Sequence, residues 1–163
     1  MPIVLILMSI RFQYTPLYLG LFNVYLGIGF AIGLLVVLPK MVKRMTIEKV
    51  VAITLLVACI AQIVSSLVSI EWVIWLLALP YGIAIEIAFT GMFTAFSNAA
   101  DEQSQGWVMG ISVAVLAIAW ALAGFAAELA HTISPALLIF LGGLSLAMST
   151  LLMGCRIKKV VQR

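Results

Sequence analysis

The chain has 163 residues, of which 65% are hydrophobic and only 9% are charged, with a formal net charge of +3. A soluble domain is about half apolar and a quarter charged, so these residues cannot cover a water-soluble surface. The composition predicts a protein whose outer surface faces lipid. The sequence has no basic patch interleaved with aromatic residues, which argues against a nucleic-acid partner.

Five apolar segments are long enough to cross a bilayer, because a spanning helix needs about 20 residues with a rise of about 1.5 Å each. Short polar stretches separate them and force neighbouring helices to run antiparallel. The predicted spans, named A to E, are residues 17–39, 50–70, 72–96, 107–127 and 135–155. The predicted fold class is an all-α polytopic membrane helix bundle that forms a single domain over residues 1–163.

The N-terminal segment, residues 1–14, is apolar as far as Ile10 and then carries Arg11 and Gln13. Nine apolar residues reach only about 14 Å, which is half of a bilayer. We therefore expect a partial helix before the five full spans. A short interfacial or re-entrant segment is the alternative.

Lysine and arginine residues collect on one side of the predicted bundle. Those of the connection between spans A and B are Lys40, Lys43, Arg44 and Lys49, and those of the C-terminal tail are Arg156, Lys158, Lys159 and Arg163. Spans A and E end on the same face when five spans alternate, so this face holds eight of the nine basic residues. The positive-inside rule makes this face cytoplasmic. We expect a multi-pass protein of the cell membrane with a cytoplasmic C-terminus.

Aromatic residues mark the ends of several predicted spans. Tyr18, Trp72, Trp75 and Trp107 fall near these ends. Tyrosine and tryptophan are enriched at the membrane–water interface, where their amphipathic rings lie at the level of the lipid headgroups. The four residues are therefore interpreted as an interfacial belt.

Glu86 is the only acidic residue deep within a predicted span, near the middle of span C. An ionised carboxylate in hydrocarbon is energetically costly, so such residues usually face the bundle interior or a water-filled path. Burial also favours the protonated form. Glu86 is therefore a candidate proton carrier or contact for a cationic substrate, and a neutral, hydrogen-bonded structural role is the alternative. Pro80 and Gly82 lie one to two turns before it, where they would bend or loosen the helix.

Asn23 in span A and Arg11 in the N-terminal segment are the other candidates for a substrate or proton path. Asn23 either hydrogen-bonds between helices or faces a cavity. Arg11 either extends to the membrane interface or lines the path. Gln62 in span B is expected to hydrogen-bond between helices.

Two pairs of glycines have the small-xxx-small spacing that permits close helix packing in lipid. They are Gly29 with Gly33 in span A, and Gly106 with Gly110 at the start of span D. Close packing is the favoured interpretation, and backbone flexibility during a transport cycle is the alternative.

No arrangement typical of a catalytic triad, a metal site or a phosphate-binding loop occurs in the sequence. The chain has one histidine and two cysteines, Cys59 and Cys155, and both cysteines lie in apolar segments. We therefore expect no enzymatic activity, no metal and no other cofactor.

The stretch from Ser97 to Gly110 resembles the cytoplasmic link between the tenth and eleventh helices of major facilitator superfamily transporters. In that family a polar loop ends in a glycine, here Gly106, and a second glycine follows four residues later, here Gly110. The run from Gly33 to Arg44 lies where the family has the second copy of its basic loop, with Lys40, Lys43 and Arg44 as the basic residues.

The resemblance implies that spans A to E correspond to helices eight to twelve and residues 2–13 to the end of helix seven. Such transporters have two six-helix halves with the substrate site between them. The resemblance therefore implies that the chain is one half, or a truncated form, of a proton-coupled antiporter of the drug-efflux branch. The path-lining helices of that family would here carry Asn23 and Glu86. The implied partners are membrane lipid, a small-molecule substrate, and the missing N-terminal half or another membrane chain.

Two other hypotheses stay open. The chain is either a non-transporting membrane subunit or assembly factor of a larger complex, or a compact homo-oligomeric efflux protein in which Glu86 carries the proton. A neighbouring reading frame that encodes about six more helices would favour the split transporter.

Overall fold

The computed structural model describes residues 5, 8–10, 12–129 and 134–161. All regular elements within those ranges are helical, and five helices are long and apolar enough to cross a membrane. We number them α1 to α5, with bounds Pro16–Val42, Ile47–Leu67, Glu71–Ala99, Gln105–Leu129 and Pro135–Val161. The predicted all-α bundle with five spans is confirmed. In the N-terminal segment, residues 5, 8–10 and 12 are helical.

Helix α1 continues past Pro39, where span A was predicted to end. The turn before this proline, Gly33–Val37, is π-helical, and the N–H of Leu38 donates to the carbonyl of Gly33. A proline ring inside an α-helix clashes with the carbonyl four residues earlier. The wider π turn lies at that carbonyl, and the chain resumes an α-helical path over Leu38–Val42.

The ends of the other helices also differ from the predicted spans. Helix α2 begins at Ile47 and ends at Leu67, while α5 reaches Val161 beyond the predicted residue 155. Hydropathy locates only the stretch that fits the hydrocarbon, whereas a helix extends into the interface wherever its end is stabilised. In the first turn of α2, for example, Glu48 lies at the positive end of the helix dipole.

Helix α2 is the central helix of the bundle. It packs against α3 and α5, while α1 packs against α3 and α4 makes only a light contact with α3. Of the spanning part of α2, 44% is buried, whereas none of the spanning part of α4 is buried. The fold is therefore a four-helix core with α4 at its periphery.

Two clusters of buried apolar side chains hold the core together. The larger joins the N-terminal segment, α1, α3 and α5, and consists of Met8, Phe22, Leu26, Ile74, Ala78 and Ile139. The smaller joins α2 to α3 through Val51, Leu55 and Ala88. Because lipid tails are as apolar as these side chains, the clusters stabilise the bundle through close packing rather than by removal from water.

The basic residues that the structure describes lie in two groups at the same end of the bundle. Glu48 of α2, Ala99 of α3 and Met153 of α5 line one cavity, so the start of α2 and the ends of α3 and α5 lie together. Lys40 lies in the last turn of α1, and Lys43 and Arg44 lie in the turn that directly precedes α2. Residues 156–159 directly follow that part of α5. We call this the basic end of the bundle, and the opposite end, where α3 begins, the Glu71 end.

Candidate functional site

Glu86 lies near the middle of α3, which runs from Glu71 to Ala99. At about 1.5 Å per residue it is about 20 Å from either end of the helix. Its side chain is half-buried, and no hydrogen bond or ion pair joins it to another described residue. A hydrogen-bonded structural role would therefore need a partner outside the part of the chain that the structure describes.

Helix α1 approaches α3 most closely just before Glu86. A β-carbon on Gly82 would lie 3.1 Å from the carbonyl oxygen of Leu26 and 3.5 Å from the ring of Phe30. Helix α3 continues as an α-helix through Pro80, which is exposed. Gly82 therefore lies at the contact with α1, whereas Pro80 does not interrupt the helix.

Gly29 and Gly33 form the α1 side of this contact. A β-carbon on Gly29 would lie 3.1 Å from the carbonyl oxygen of Leu79, and one on Gly33 would lie 2.9 Å from that of Ile83. Both glycines are buried. The small-xxx-small pair of span A thus lies where two helix backbones touch.

Asn23 lies on the same side of the α1–α3 pair as Glu86 but does not contact it. Asn23 is exposed, seven residues before Phe30 and therefore on nearly the same face of α1. The ring of Phe30 lies against Gly82, and Glu86 follows Gly82 by one turn. Leu26 lies beside Gly82, Asn23 precedes Leu26 by three residues, and Glu86 follows Gly82 by four. At the rise of a helix, Asn23 and Glu86 are therefore about 10 Å apart along the helix axes. Within the described chain Asn23 makes no hydrogen bond.

The remaining path candidate, Arg11, lies outside the described residues. Gln62 donates a hydrogen bond of 3.2 Å from Nε2 to the carbonyl oxygen of Ile139. This bond links α2 to α5, as expected for a polar residue between helices in lipid.

An open cavity of about 380 Å³ lies between α3 and α4, and Glu86 itself does not line it. Its wall is apolar apart from Ser112, and it includes Phe89, which is three residues after Glu86 on α3. Ligand pockets typically have volumes of about 300–1,000 Å³ and predominantly apolar walls. The cavity is therefore large enough for a small organic molecule.

Gly106 and Gly110 of α4 differ from the glycines of α1. Nothing lies within 4 Å of a β-carbon built on either of them. Ala114, Ala117, Ala121 and Gly124 continue the same helical spacing, and all of them are exposed. Within the described residues this small-residue face of α4 therefore packs against no other helix.

The basic loop lies at the end of α1. Lys40, Lys43 and Arg44 are exposed around an open cleft of about 550 Å³ whose floor includes Val36 and Met41. None of the three forms an ion pair with a described residue. The cations are therefore available to solvent, lipid headgroups or a partner.

The connection between α3 and α4 is ordered by its own side chains. The backbone N–H of Ser104 donates 2.7 Å to Oδ1 of Asp101, and the Ser104 hydroxyl also bonds to that carboxylate. These hydrogen bonds from Ser104 hold the pKa of Asp101 below its usual value. Gln105 donates to the hydroxyl of Ser97, which ties the start of α4 to the end of α3.

A polar cluster at the Glu71 end was missed in the sequence. Trp75 donates 2.7 Å from Nε1 to the hydroxyl oxygen of Tyr14, and that hydroxyl donates to Glu71. Trp75 also packs edge-on against Phe22, with ring centroids 5.1 Å apart. Trp75 thus joins α3 to α1 in addition to lying near a span end. Because Tyr14 and Glu71 are 57 residues apart, no local pattern could have paired them.

Among the described residues, no group of three or more histidine, cysteine or acidic side chains could hold a metal ion. The thiol of Cys59 is buried and donates 3.3 Å to the carbonyl oxygen of Gly143. This cysteine therefore serves the packing of α2 against α5.

No family model, curated protein or solved structure matches the chain. The likeness to major facilitator transporters rests on the two loop motifs alone.

Proposed function

We propose that the chain is one half, or a shortened form, of a proton-coupled secondary transporter that exports a small organic molecule. Glu86 carries the proton, and the cavity between α3 and α4 contributes to the substrate path. The second half of the path comes from another membrane chain. The cell membrane is the proposed location, with the basic end in the cytoplasm, as the positive-inside rule predicts.

The observation that carries the proposal is the position of Glu86. A carboxyl group about 20 Å from either end of a spanning helix is expensive in lipid and usually marks an ion or substrate path. Glu86 is half-buried and makes no polar contact with the described residues, and Phe89, three residues later on α3, lines a cavity of about 380 Å³.

The exposure of α4 supports a partner chain. None of the spanning part of α4 is buried, and its glycines at positions 106 and 110 leave room for another helix to approach. Asn23 and Glu86, both polar, are likewise left without polar partners among the described residues. A second set of helices packed on this side would cover α4 and complete the path.

Everted membrane vesicles provide the test. In vesicles acidified inside, export of a substrate in exchange for protons raises the internal pH, which a fluorescent pH probe reports. Vesicles from cells that contain the chain should respond to some members of a panel of small organic cations and neutral drugs. Vesicles from cells that lack it should not. The proposal would be contradicted if vesicles with and without the chain gave equal responses to every compound.

A non-transporting membrane subunit is the second candidate, and the small-residue face of α4 favours it. Such a face suits permanent packing against a helix of a larger complex. This candidate predicts that loss of the chain lowers the amount of a partner complex while leaving proton-coupled export unchanged.

A further inference from the structure

A second cavity lies at the basic end, between the start of α2 and the ends of α3 and α5. Its volume is about 330 Å³, which lies within the usual range for small-molecule pockets. Much of its wall is apolar and includes Met92, Phe96 and Met153, whereas Glu86 does not line it. Three helices that are distant in sequence therefore enclose this cavity, which shares Met92 and Phe96 with the cavity between α3 and α4.

Among the described residues, Glu48 is the only charged one in the wall of this cavity. It is half-buried and forms no ion pair or hydrogen bond with the described part of the chain. It also lies in the first turn of α2, where the helix dipole favours a negative charge. The cavity thus offers one carboxylate without a protein counter-ion among the described residues.

The other polar groups of the wall also suit a positively charged ligand. The hydroxyl of Ser149 donates 2.9 Å to the carbonyl oxygen of Ser145, which leaves its own oxygen as an acceptor. Asn98 adds an amide that makes no hydrogen bond within the described residues. Asp101 and Glu102 begin the connection that follows Ala99 of the wall, while Lys49 follows Glu48 and Arg156 follows Met153 by three residues in the sequence. Charges of both signs therefore lie at this end, and the carboxylate of the wall itself gives the site its preference for a cation.

We propose that this cavity binds a small organic cation with an apolar body, such as an aromatic ammonium compound. The carboxylate of Glu48 would pair with the ammonium group, and Phe96, an aromatic residue of the wall, would add a cation–π contact. Met92 and Met153 line the apolar part, and flexible thioether side chains adapt to ligands of different shape. The proposal does not depend on transport, because binding at this site requires neither Glu86 nor a proton gradient.

The test uses the purified chain in nanodiscs of zwitterionic lipid. Equilibrium dialysis measures the binding of benzyltrimethylammonium, and empty nanodiscs give the background from partition into lipid. Neopentylbenzene, the uncharged compound of the same shape, is measured in parallel. Circular dichroism and size-exclusion chromatography establish that each variant is folded.

We expect saturable binding of the cation, and only lipid partition of the neutral compound. Glu48→Gln should weaken binding roughly tenfold or more, because it removes one member of a desolvated charge pair. Glu48→Asp keeps the charge and should retain part of the affinity. Glu128→Gln removes an exposed carboxylate from α4 and should leave binding unchanged.

Ala95→Leu provides a test that leaves the charge in place. Ala95 lines the cavity, so the larger side chain should fill part of it and lower the affinity. The proposal is overturned if the wild-type chain shows no saturable binding, or if Glu48→Gln binds as tightly as wild type. Equal binding of the neutral compound would also overturn it, because the cavity would then select for shape alone.

Discussion

A β-carbon on Gly33 would lie only 2.9 Å from the carbonyl oxygen of Ile83, so α1 and α3 meet backbone to backbone at this point. A backbone oxygen cannot rotate away as the end of a side chain can. Gly29, one turn earlier, approaches the carbonyl of Leu79 in the same way. The contact therefore depends on the absence of side chains at two successive turns of α1.

Replacement of Gly33 by alanine should destabilise the bundle. Overpacking of a tight contact costs about 1–3 kcal/mol, against a gain in helix propensity of at most about 1 kcal/mol. Thermal unfolding in detergent, followed by circular dichroism, should show a lower midpoint for Gly33→Ala. Gly27→Ala is the matched control, because nothing lies within 4 Å of a β-carbon there. Equal shifts for the two variants would contradict a backbone contact at Gly33.

Glu86→Gln should abolish gradient-driven transport by the complete assembly while leaving the fold intact. Glutamine keeps the shape of the side chain and most of its hydrogen-bonding capacity, but it cannot release a proton. Transport in everted vesicles and the expression level of each variant are the measurements. Glu102→Gln, in the exposed connection after α3, should transport normally.

Glu86→Leu separates proton transfer from a structural role. A neutral structural Glu86 would tolerate glutamine but not leucine, since leucine removes every polar contact. Full transport by a well-expressed Glu86→Gln variant, with an unchanged pH dependence, would end the proton-carrier hypothesis.

Tyr14→Phe should weaken the attachment of the chain before α1 to α3. The variant loses the hydrogen bonds to Glu71 and Trp75, and each such bond contributes about 0.5–1.5 kcal/mol. A lower unfolding midpoint at neutral pH is expected. Tyr18→Phe is the control, because Tyr18 is exposed and makes no hydrogen bond within the described residues.

The stability of Tyr14→Phe should also depend less on pH than that of the wild-type chain at alkaline pH. Burial and the hydrogen bond to Glu71 raise the pKa of Tyr14 above its ordinary value of 10.0. The folded chain thus holds this proton more tightly than the unfolded chain does. Its contribution to stability is present below pH 10.0 and is lost as the pH rises through the folded-state pKa. As the pH rises above 10.0, the unfolding midpoint of Tyr14→Phe should therefore fall less than that of the wild-type chain.

Cysteine labelling tests the orientation of the bundle. In a chain whose Cys59 and Cys155 are replaced by serine, a membrane-impermeant thiol reagent added to intact cells should miss cysteines at positions 43 and 160. It should label a cysteine at position 131. The basic residues beside positions 43 and 160 should keep both sites in the cytoplasm. Labelling of 43 and 160, with protection of 131, would invert the topology.

The glycine pairs show where a sequence pattern stops being informative. Gly29–Gly33 and Gly106–Gly110 have the same spacing, yet the first pair touches α3 and the second touches no described helix. Spacing places two small residues on one face of a helix, but it does not say whether another helix covers that face. Likewise, Glu48 reads in the sequence as an ordinary acidic residue in a first turn, and only the meeting of α2, α3 and α5 encloses it in a cavity.

The number of long apolar helices, the helical class and the position of Glu86 near the middle of its helix were determined by the sequence alone. Each depends on local hydropathy and on the fixed rise of a helix in lipid. The tertiary structure decided that α2 is central, that α4 is peripheral and that Tyr14 bonds to Glu71. These relationships join residues far apart in the chain. They depend on how closely particular side chains let two helices approach, which no local pattern of hydropathy records.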